Sequence, residues 1–332
     1  MSRPAMGAAI LFAAGAGLAA WTLRATPATA NAPPGIALGN GAACAAYSGL
    51  PPGWGRDPHA GMLRLPGGRF VLGAVDGYPE EQPLREVTTA PFWIDRTEVT
   101  NAQFDAFVRA TGYVTEGERN GSGAVFRAPL AERGEEAAYG SWWHAVRGAD
   151  WRHPEGPGST LQGRENQPVV QLTRADAYAY AQWLGRSLPT EAQWEHAAKA
   201  GGQGERIERG PRDRQGRPSA NFWQGLFPYM NSREDGYPDR APVGCFAANG
   251  FGLYDMIGNA WEWTSDPWHG SHQPHGSGAP AALSGEEGLI KGGSFLCASD
   301  FCVRYRAAAR HPHDTRLGAV HVGFRTVSAA SP

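Results

Sequence analysis

Two of the chain's four cysteines are separated by four residues in Lys291-Gly-Gly-Ser-Phe-Leu-Cys297-Ala-Ser-Asp-Phe-Cys302-Val-Arg-Tyr-Arg306. Thiols at this spacing, in a glycine- and aromatic-rich, strand-like segment, can close a small disulfide, pinch one soft metal ion or run thiol redox chemistry. Zinc asks for about four protein ligands, or three and a water, and no Cys-x-x-Cys or His-x(3–5)-His partner lies within reach. Cu(I) asks for less: two thiolates satisfy a soft monovalent ion and leave room for a third. A structural Cys297–Cys302 disulfide remains the competing reading. Cys44 and Cys245 are far apart in sequence and read as a staple tying an N-terminal arm to the core.

Upstream lie two oxygen-rich clusters. One runs from Ser219-Ala-Asn221-Phe-Trp to Glu234-Asp235-Gly236-Tyr237; the other is Gly252-Leu-Tyr-Asp255-Met-Ile-Gly258-Asn-Ala260-Trp261-Glu262-Trp263. Carboxylates, amides and free carbonyls around glycines suit a hard cation such as Ca²⁺. Ordinary Asn/Asp-Gly turn chemistry gives the same pattern, and the pattern alone favours turns.

Three helices are announced by caps: Thr100 with Gln103, Thr173 with Asp176, and Thr190 with Gln193. The first should bury Phe104, Phe107 and Val108 and stop at Gly112. The second should bury Tyr178, Ala181 and Trp183 or Leu184. The third should carry Trp194 and Ala198 inward. Met62–Leu65 and Arg69–Leu72, around Pro66-Gly67-Gly68, predict a β-hairpin, and Phe92–Ile94 a short buried strand. The arginines at 206, 209, 212, 214 and 217 read as a solvated loop. The histidine-bearing stretch 268–285 reads as a mobile surface loop.

Composition sets the outer limits. In 332 residues, 45 Gly, 26 Pro and 12 Trp describe irregular backbone held by aromatic anchors rather than a helical bundle. A formal net charge of −2 with no basic stripe excludes a nucleic-acid binder. Arg3, an apolar run from Ala5 to Ala20 and Ala28-Thr-Ala30 form a secretory signal over residues 1–30. An uncleaved anchor is the alternative. Residues 31–60 form a Pro/Gly/Ala-rich linker or arm, and the catalytic domain is expected over 61–328. The protein should work exported, in the periplasm or secreted, in an oxidising space.

Five motifs in register carry a family resemblance. Asp95-Arg-Thr-Glu-Val-Thr-Asn101, Ala149-Asp-Trp-Arg-His-Pro-Glu-Gly-Pro157, Leu188-Pro-Thr-Glu-Ala-Gln-Trp-Glu195, Tyr254-Asp-Met-Ile-Gly-Asn-Ala-Trp-Glu-Trp-Thr-Ser-Asp266 and Gly292-Gly-Ser-Phe-Leu-Cys297 through Arg306, with a terminal Val322-Gly-Phe-Arg325, resemble the formylglycine-generating enzymes, or sulfatase-modifying factors. The resemblance implies one α+β domain with a distorted C-type-lectin-like core, low in regular secondary structure. It implies copper-dependent aerobic oxidation of a cysteine in a sulfatase Cys-x-Pro-x-Arg segment to Cα-formylglycine. The implied partners are an unfolded or nascent sulfatase polypeptide, O₂ and a reductant, and the implied state is a monomer. By motif position Cys297 and Cys302 match the Cu(I)-binding catalytic pair, with Trp261 and Ser294 beside the copper. Asn221, Asp235 and the carbonyls of Phe222 and Tyr237 match one structural calcium site. Asp255, Glu262 and the carbonyls of Gly258 and Ala260 match a second.

The chain departs from the family pattern in places. Ala298-Ser-Asp-Phe301 stands where some relatives carry His, Arg and Tyr, and the arginine-rich loop replaces an expected Phe-Pro-Trp-Gly. Asp255 stands where several have Asn, and Ala307 replaces a cysteine. Two rival functions go with the same fold. One is another oxidative tailoring role, like that of the pyoverdine-maturation proteins. The other is a non-enzymatic lectin-like binding module with a structural Cys297–Cys302 disulfide.

Overall fold

The computed structural model describes residues 38–129, 138–200, 210–272 and 287–330. The signal segment 1–30 and the first part of the arm lie outside the described residues. Among the described residues no helix is long and apolar enough to cross a membrane.

Helices form where caps satisfy their first amides. A short α1 (Gly41–Ala45) starts at Asn40, whose side chain accepts from the Ala43 amide. Capping boxes open α2 (Asn101–Thr111), α3 (Glu116–Asn120), α4 (Arg174–Trp183) and α5 (Glu191–Lys199), at Thr100, Thr115, Thr173 and Thr190. The α3 box, Thr115 with Glu118, was not among the expected starts. Gly112 closes α2 in the left-handed conformation, as its position predicts. In α4 the inward residues are Ala177, Tyr180 and Ala181, while Trp183 stays 37 % exposed. Of the expected Trp183 or Leu184 it is Leu184 that packs against the core, partly buried like Tyr178, while the fully buried tyrosine is Tyr180, edge-on to Phe324.

The strands make small sheets. β1 (Met62–Leu65) does not pair with β2 (Gly68–Leu72), so the predicted hairpin is wrong. β2 pairs with β3 (Arg85–Thr89), whereas β1 pairs with β4 (Phe92–Asp95), which also takes the final β11 (Val327–Ala329). The reason sits at Gly67, where a side chain would come within 2.4 Å of the Thr89 carbonyl. The chain is pressed there against the end of β3 and passes into a second sheet instead of turning back. β5 (Ser122–Phe126) and β6 (Trp143–Arg147) form a separate ribbon.

The sheet that positions the site has the order β10-β7-β8-β9: β7 (Trp261–Pro267), β8 (Glu287–Lys291), β9 (Arg310–Asp314) and β10 (Val322–Gly323), the last parallel to β7. Glu262 lies opposite Lys291, which lies opposite Arg310; Trp263 lies opposite Ile290, which lies opposite His311. Paired residues share a face and neighbours along a strand alternate. One face thus presents Trp261, Trp263, Ile290, His311 and His313, and the other Glu262, Lys291 and Arg310.

Around this sheet packs a core with Trp151, Trp194, Trp263, Phe104 and Phe324 fully buried. Truncating any one of those tryptophans would cost about 3–5 kcal/mol. Residues 38–60 are fixed onto the domain. Cys44 is disulfide-bonded to Cys245, the Asn166 amide donates to the Cys44 carbonyl at 2.7 Å, and Thr100 Oγ1 donates to the Gly49 carbonyl at 2.6 Å.

Candidate active site

The two thiols sit in the loop that leaves β8. Gly292 and Gly293 both take positive φ, and at Gly293 a Cβ would lie 2.8 Å from the Arg304 carbonyl. Only glycine lets the outgoing and returning limbs of the loop touch there. The Cys297 amide donates to the Ser294 carbonyl at 3.0 Å, and the Cys297 carbonyl accepts from the Trp223 amide at 2.9 Å. Cys302 has φ 54°, a left-handed conformation that costs a non-glycine residue about 1–3 kcal/mol and persists only where the surroundings enforce it. Here the Arg304 amide holds the Cys302 carbonyl at 2.7 Å, and Tyr78 Oη accepts from the Val303 amide at 3.2 Å.

This bracing brings the two Sγ atoms to 2.7 Å without a bond between them. Burial and its neighbour push the Cys297 thiol far up. Cys302 is drawn down, first by the hydrogen bond from Cys297 and then by the Arg304 guanidinium. Of the two thiols, Cys302 is therefore the one that gives up its proton more readily. Arg304 is itself held by Glu80 at 2.6 Å and lies 3.7 Å over the Tyr78 ring.

Cys297, Cys302, Ser294 and Trp261 line one cavity of about 500 Å³, so the four residues expected at the copper site are brought together. Ser294 is fully buried, and its Oγ accepts from the Leu296 amide at 3.3 Å. One wall is aromatic: Phe227 stacks on Phe301 at 4.2 Å, with Trp142 edge-on to both. The lining also includes His311, His313 and His321, and no carboxylate lines the cavity. The histidines were missed in the sequence, although His311-Pro-His313 has the period of one strand face. Two unbonded thiols in a carboxylate-free cavity fit a soft cation and offer nothing to a hard one.

The oxygen-rich clusters also assemble, in a different style. The Asp235 carboxylate accepts from the Phe222 amide at 3.2 Å, the Tyr237 amide at 2.9 Å and Gln224 Nε2 at 2.7 Å. Asn221 Nδ2 donates to the Asp239 carbonyl and to Asn259 Oδ1, and at Gly258 a Cβ would sit 2.2 Å from the Asn221 carbonyl. The two expected calcium sets therefore abut. In the second set, Glu262 is largely committed elsewhere: Arg325 grips both its oxygens at 2.7 Å and Trp194 Nε1 adds a third bond at 2.7 Å. Only Oε1 retains a lone pair clear of these bonds.

The sequence reading missed Glu98. It is fully buried, neither of its oxygens has a partner, and burial together with Asp255 and Glu262 pushes it far up. Burial likewise lifts Asp255 to about 6. Around one guanidinium, Glu98, Asp255 and Glu262 crowd three acids whose mutual repulsion a divalent cation would relieve. Among the described residues no three His, Cys, Asp or Glu side chains converge in metal-ligand geometry. An ion here would need carbonyls as well, and the clusters supply them. The signal in the sequence was an acid inside Asp95-Arg-Thr-Glu-Val-Thr-Asn101 with no helical or turn role.

Two loop expectations change. Arg212 pairs with Glu234 at 2.8 Å and lies 5.6 Å over Phe222, so this arginine is packed rather than free in solvent. Arg206 and Arg209 lie outside the described residues, as does His275. His272, expected at the surface, is 4 % exposed, with Nε2 3.4 Å from Glu191. The Glu191 carboxylate at the start of α5 draws it in.

The sulfatase-modifying factor enzyme 1-like domain family matches residues 48–330. The chain belongs to the formylglycine-generating enzyme family. It is 46 % identical over 286 residues to the formylglycine-generating enzyme of Streptomyces coelicolor, covering 81 % of this chain and 90 % of that one. It is also 39 % identical over 291 residues to the inactive Cα-formylglycine-generating enzyme 2 of Mus musculus, covering 84 % and 88 %. Among solved structures, PvdO from Pseudomonas aeruginosa matches with a TM-score of 0.54 at 25 % identity, over 81 % of this chain and 94 % of that one. The fold is the family's α+β domain with its distorted lectin-like core and little regular structure. Because the family includes members named inactive, the chemistry of the cavity carries the functional question.

Proposed function

We propose that the chain is an oxidase that converts a peptidyl cysteine of a sulfatase, in a Cys-x-Pro-x-Arg segment, to Cα-formylglycine. The observation that carries this reading is the unbonded Cys297–Cys302 pair in a cavity free of carboxylates. Peptidyl –CH₂–SH, O₂, two electrons and two protons become –CHO, H₂S and water, so a reductant is a co-substrate. Cys297 and Cys302 would hold Cu(I), whose contribution when bound is to accept the client sulfur and activate O₂.

The remaining roles fall to the protein. Arg304 favours the charged form of Cys302. Trp261, 3 % exposed, closes the cavity to water behind the reacting sulfur. Ser294, held by its bond to the Leu296 amide, can turn its hydroxyl proton towards a thiolate or an oxygen species. The aromatic wall of Trp142, Phe227 and Phe301 offers a flat apolar surface to an extended, unfolded client. Calcium would be structural, held by Asp235 and its neighbours and by Asp255, Glu98 and Glu262 Oε1 with nearby carbonyls. The signal-like N-terminus and the Cys44–Cys245 disulfide support work in an exported, oxidising compartment.

The test is direct. Reduced protein, Cu(I), O₂ and a Cys-x-Pro-x-Arg peptide are incubated, and the product is trapped with a hydrazide. Aldehyde that requires both copper and O₂ supports the oxidase. Protein that takes up no copper and leaves the peptide thiol untouched is a binding module instead.

A further inference from the structure

Three imidazoles line the same cavity as the thiols, and nothing above employs them. His311 and His313 share the cavity face of β9, and His321 enters just before β10. All three are held neutral: burial lowers each, taking His311 to about 4, and the charge of Arg304 adds to the effect there.

His311 is set apart by its hydrogen bond. Its Nδ1 lies 2.6 Å from the Pro312 carbonyl. A carbonyl oxygen only accepts, so the proton sits on Nδ1 and Nε2 carries a free lone pair. His313 is fixed the opposite way round, its Nε2 donating to the Leu317 carbonyl at 3.0 Å. His311 is also the histidine tied to residues of the site. Its ring is 5.6 Å from that of Trp261, and the Arg304 that acts on Cys302 acts on it too. The charged and titratable groups facing it are Arg304 with its partner Glu80 and the imidazoles of His313 and His321; from β8 its neighbour is the apolar Ile290. No carboxylate of the cavity competes for a proton.

We propose that Nε2 of His311 accepts the thiol proton of the incoming client cysteine and keeps it in the cavity. The inference rests on the oxidase reading. In the step, the client S–H bond breaks and its electron pair stays on sulfur, where it would be available to the ion that Cys297 and Cys302 would hold. The proton forms the second N–H of the His311 ring, and nothing is oxidised. Two thiolates on a monovalent ion are already anionic, and a third adds another negative charge. Each such charge raises the proton affinity of a nearby imidazole. An imidazole that is neutral in the empty cavity therefore charges when the client arrives, and the net charge of the cavity stays constant.

Proton counting tests this apart from turnover. Copper-loaded protein is titrated without O₂ with a Cys-x-Pro-x-Arg peptide at pH 7, where a free thiol is almost fully protonated. Calorimetry in buffers of different ionisation enthalpy then counts the protons released. Wild type should release well under half a proton per peptide, His311→Gln close to one, and the exposed-site control His144→Gln should match wild type. In the wild type, the ¹⁵N resonances of His311 should move to imidazolium values on peptide addition, a readout that needs no variant to fold. A full proton released by wild type, or equal counts in wild type and His311→Gln, overturns the proposal while leaving the oxidase intact if aldehyde still forms. Failure of the peptide to bind at all removes both.

Discussion

Trp261 and Glu262 are neighbours on β7 and belong to two different chemistries. On the Trp261 face lie two thiols, three neutral imidazoles and an aromatic wall around an open cavity. On the Glu262 face β7, β8 and β9 each contribute one residue to a dry charge network, which Arg325 joins from just beyond β10. Arg325 grips Glu262 at 2.7 Å, Lys291 reaches Glu195 at 2.8 Å, and Arg310 reaches Glu191 at 2.9 Å. The alternation of a strand places a soft-donor site and a hard-donor site one residue apart without mixing them. The comparison teaches why carboxylates are absent from the cavity. Under the proposed function a carboxylate there would compete for the copper and for the proton, and the opposite face already holds the acids in bonds.

Substitutions can break this division of labour, and the largest effect should be on the cavity face. Cys297→Ser and Cys302→Ser should each drop aldehyde formation to background, while thermal stability moves by no more than about 1 kcal/mol. Assay and melting curve are read on the same sample; substantial activity in either variant breaks the assignment of the face.

On the charged face the expectation reverses. Glu191→Gln leaves Lys291 and Arg310 without their shared carboxylate and should cost about 3–5 kcal/mol by denaturant unfolding, with normal turnover of the folded fraction. Burial raises Glu191, but Lys291, His272 and Arg310 outweigh it and bring it to about 2, below its ordinary 4.5. A carboxylate depressed in this way stabilises the fold above its unfolded value and loses that contribution as pH falls towards about 2. The stability gap between wild type and Glu191→Gln should therefore close below pH 4; a gap that widens there contradicts the network.

A calcium effect should be somewhat smaller. With free ion near a hundredfold above its dissociation constant, removal costs about 2.7 kcal/mol. For a domain of this size that is a melting shift of roughly 5 °C. Chelator should produce it in wild type and much less of it in Glu98→Gln and Asp235→Ala. Identical curves with and without chelator would remove calcium from the account. The smallest effect belongs to local structure remote from both sites: Thr173→Ala should cost about 1 kcal/mol through the lost α4 cap and leave the aldehyde yield unchanged.

What could be read from the sequence follows the range of the forces involved. Helix starts were legible because a capping box is settled within four residues: Thr100, Thr173 and Thr190 each bond as their spacing predicts. The cysteine pair was legible for the same reason. The hairpin misreading around Gly67 shows the limit. Strand partners are chosen by contacts far along the chain, and Leu65 finds Phe92 rather than Arg69. Glu98 and His311 were invisible for a related reason. Their significance lies in what faces them, Asp255 and Glu262 in one case and Trp261 with Arg304 in the other. Apart from Arg304, these come from distant segments.

The most direct test of the central claim, that Cys297 and Cys302 alone hold the copper while Cys44 and Cys245 are a staple, is copper analysis with free-thiol counting before and after brief reduction with Cu(I). It is run on wild type, Cys302→Ser and the Cys44→Ser/Cys245→Ser double variant. After reduction the account predicts one copper per chain in wild type and in the double variant, and none in Cys302→Ser. A double variant that keeps its fold but loses its copper, or a Cys302→Ser protein that retains it, would contradict the account.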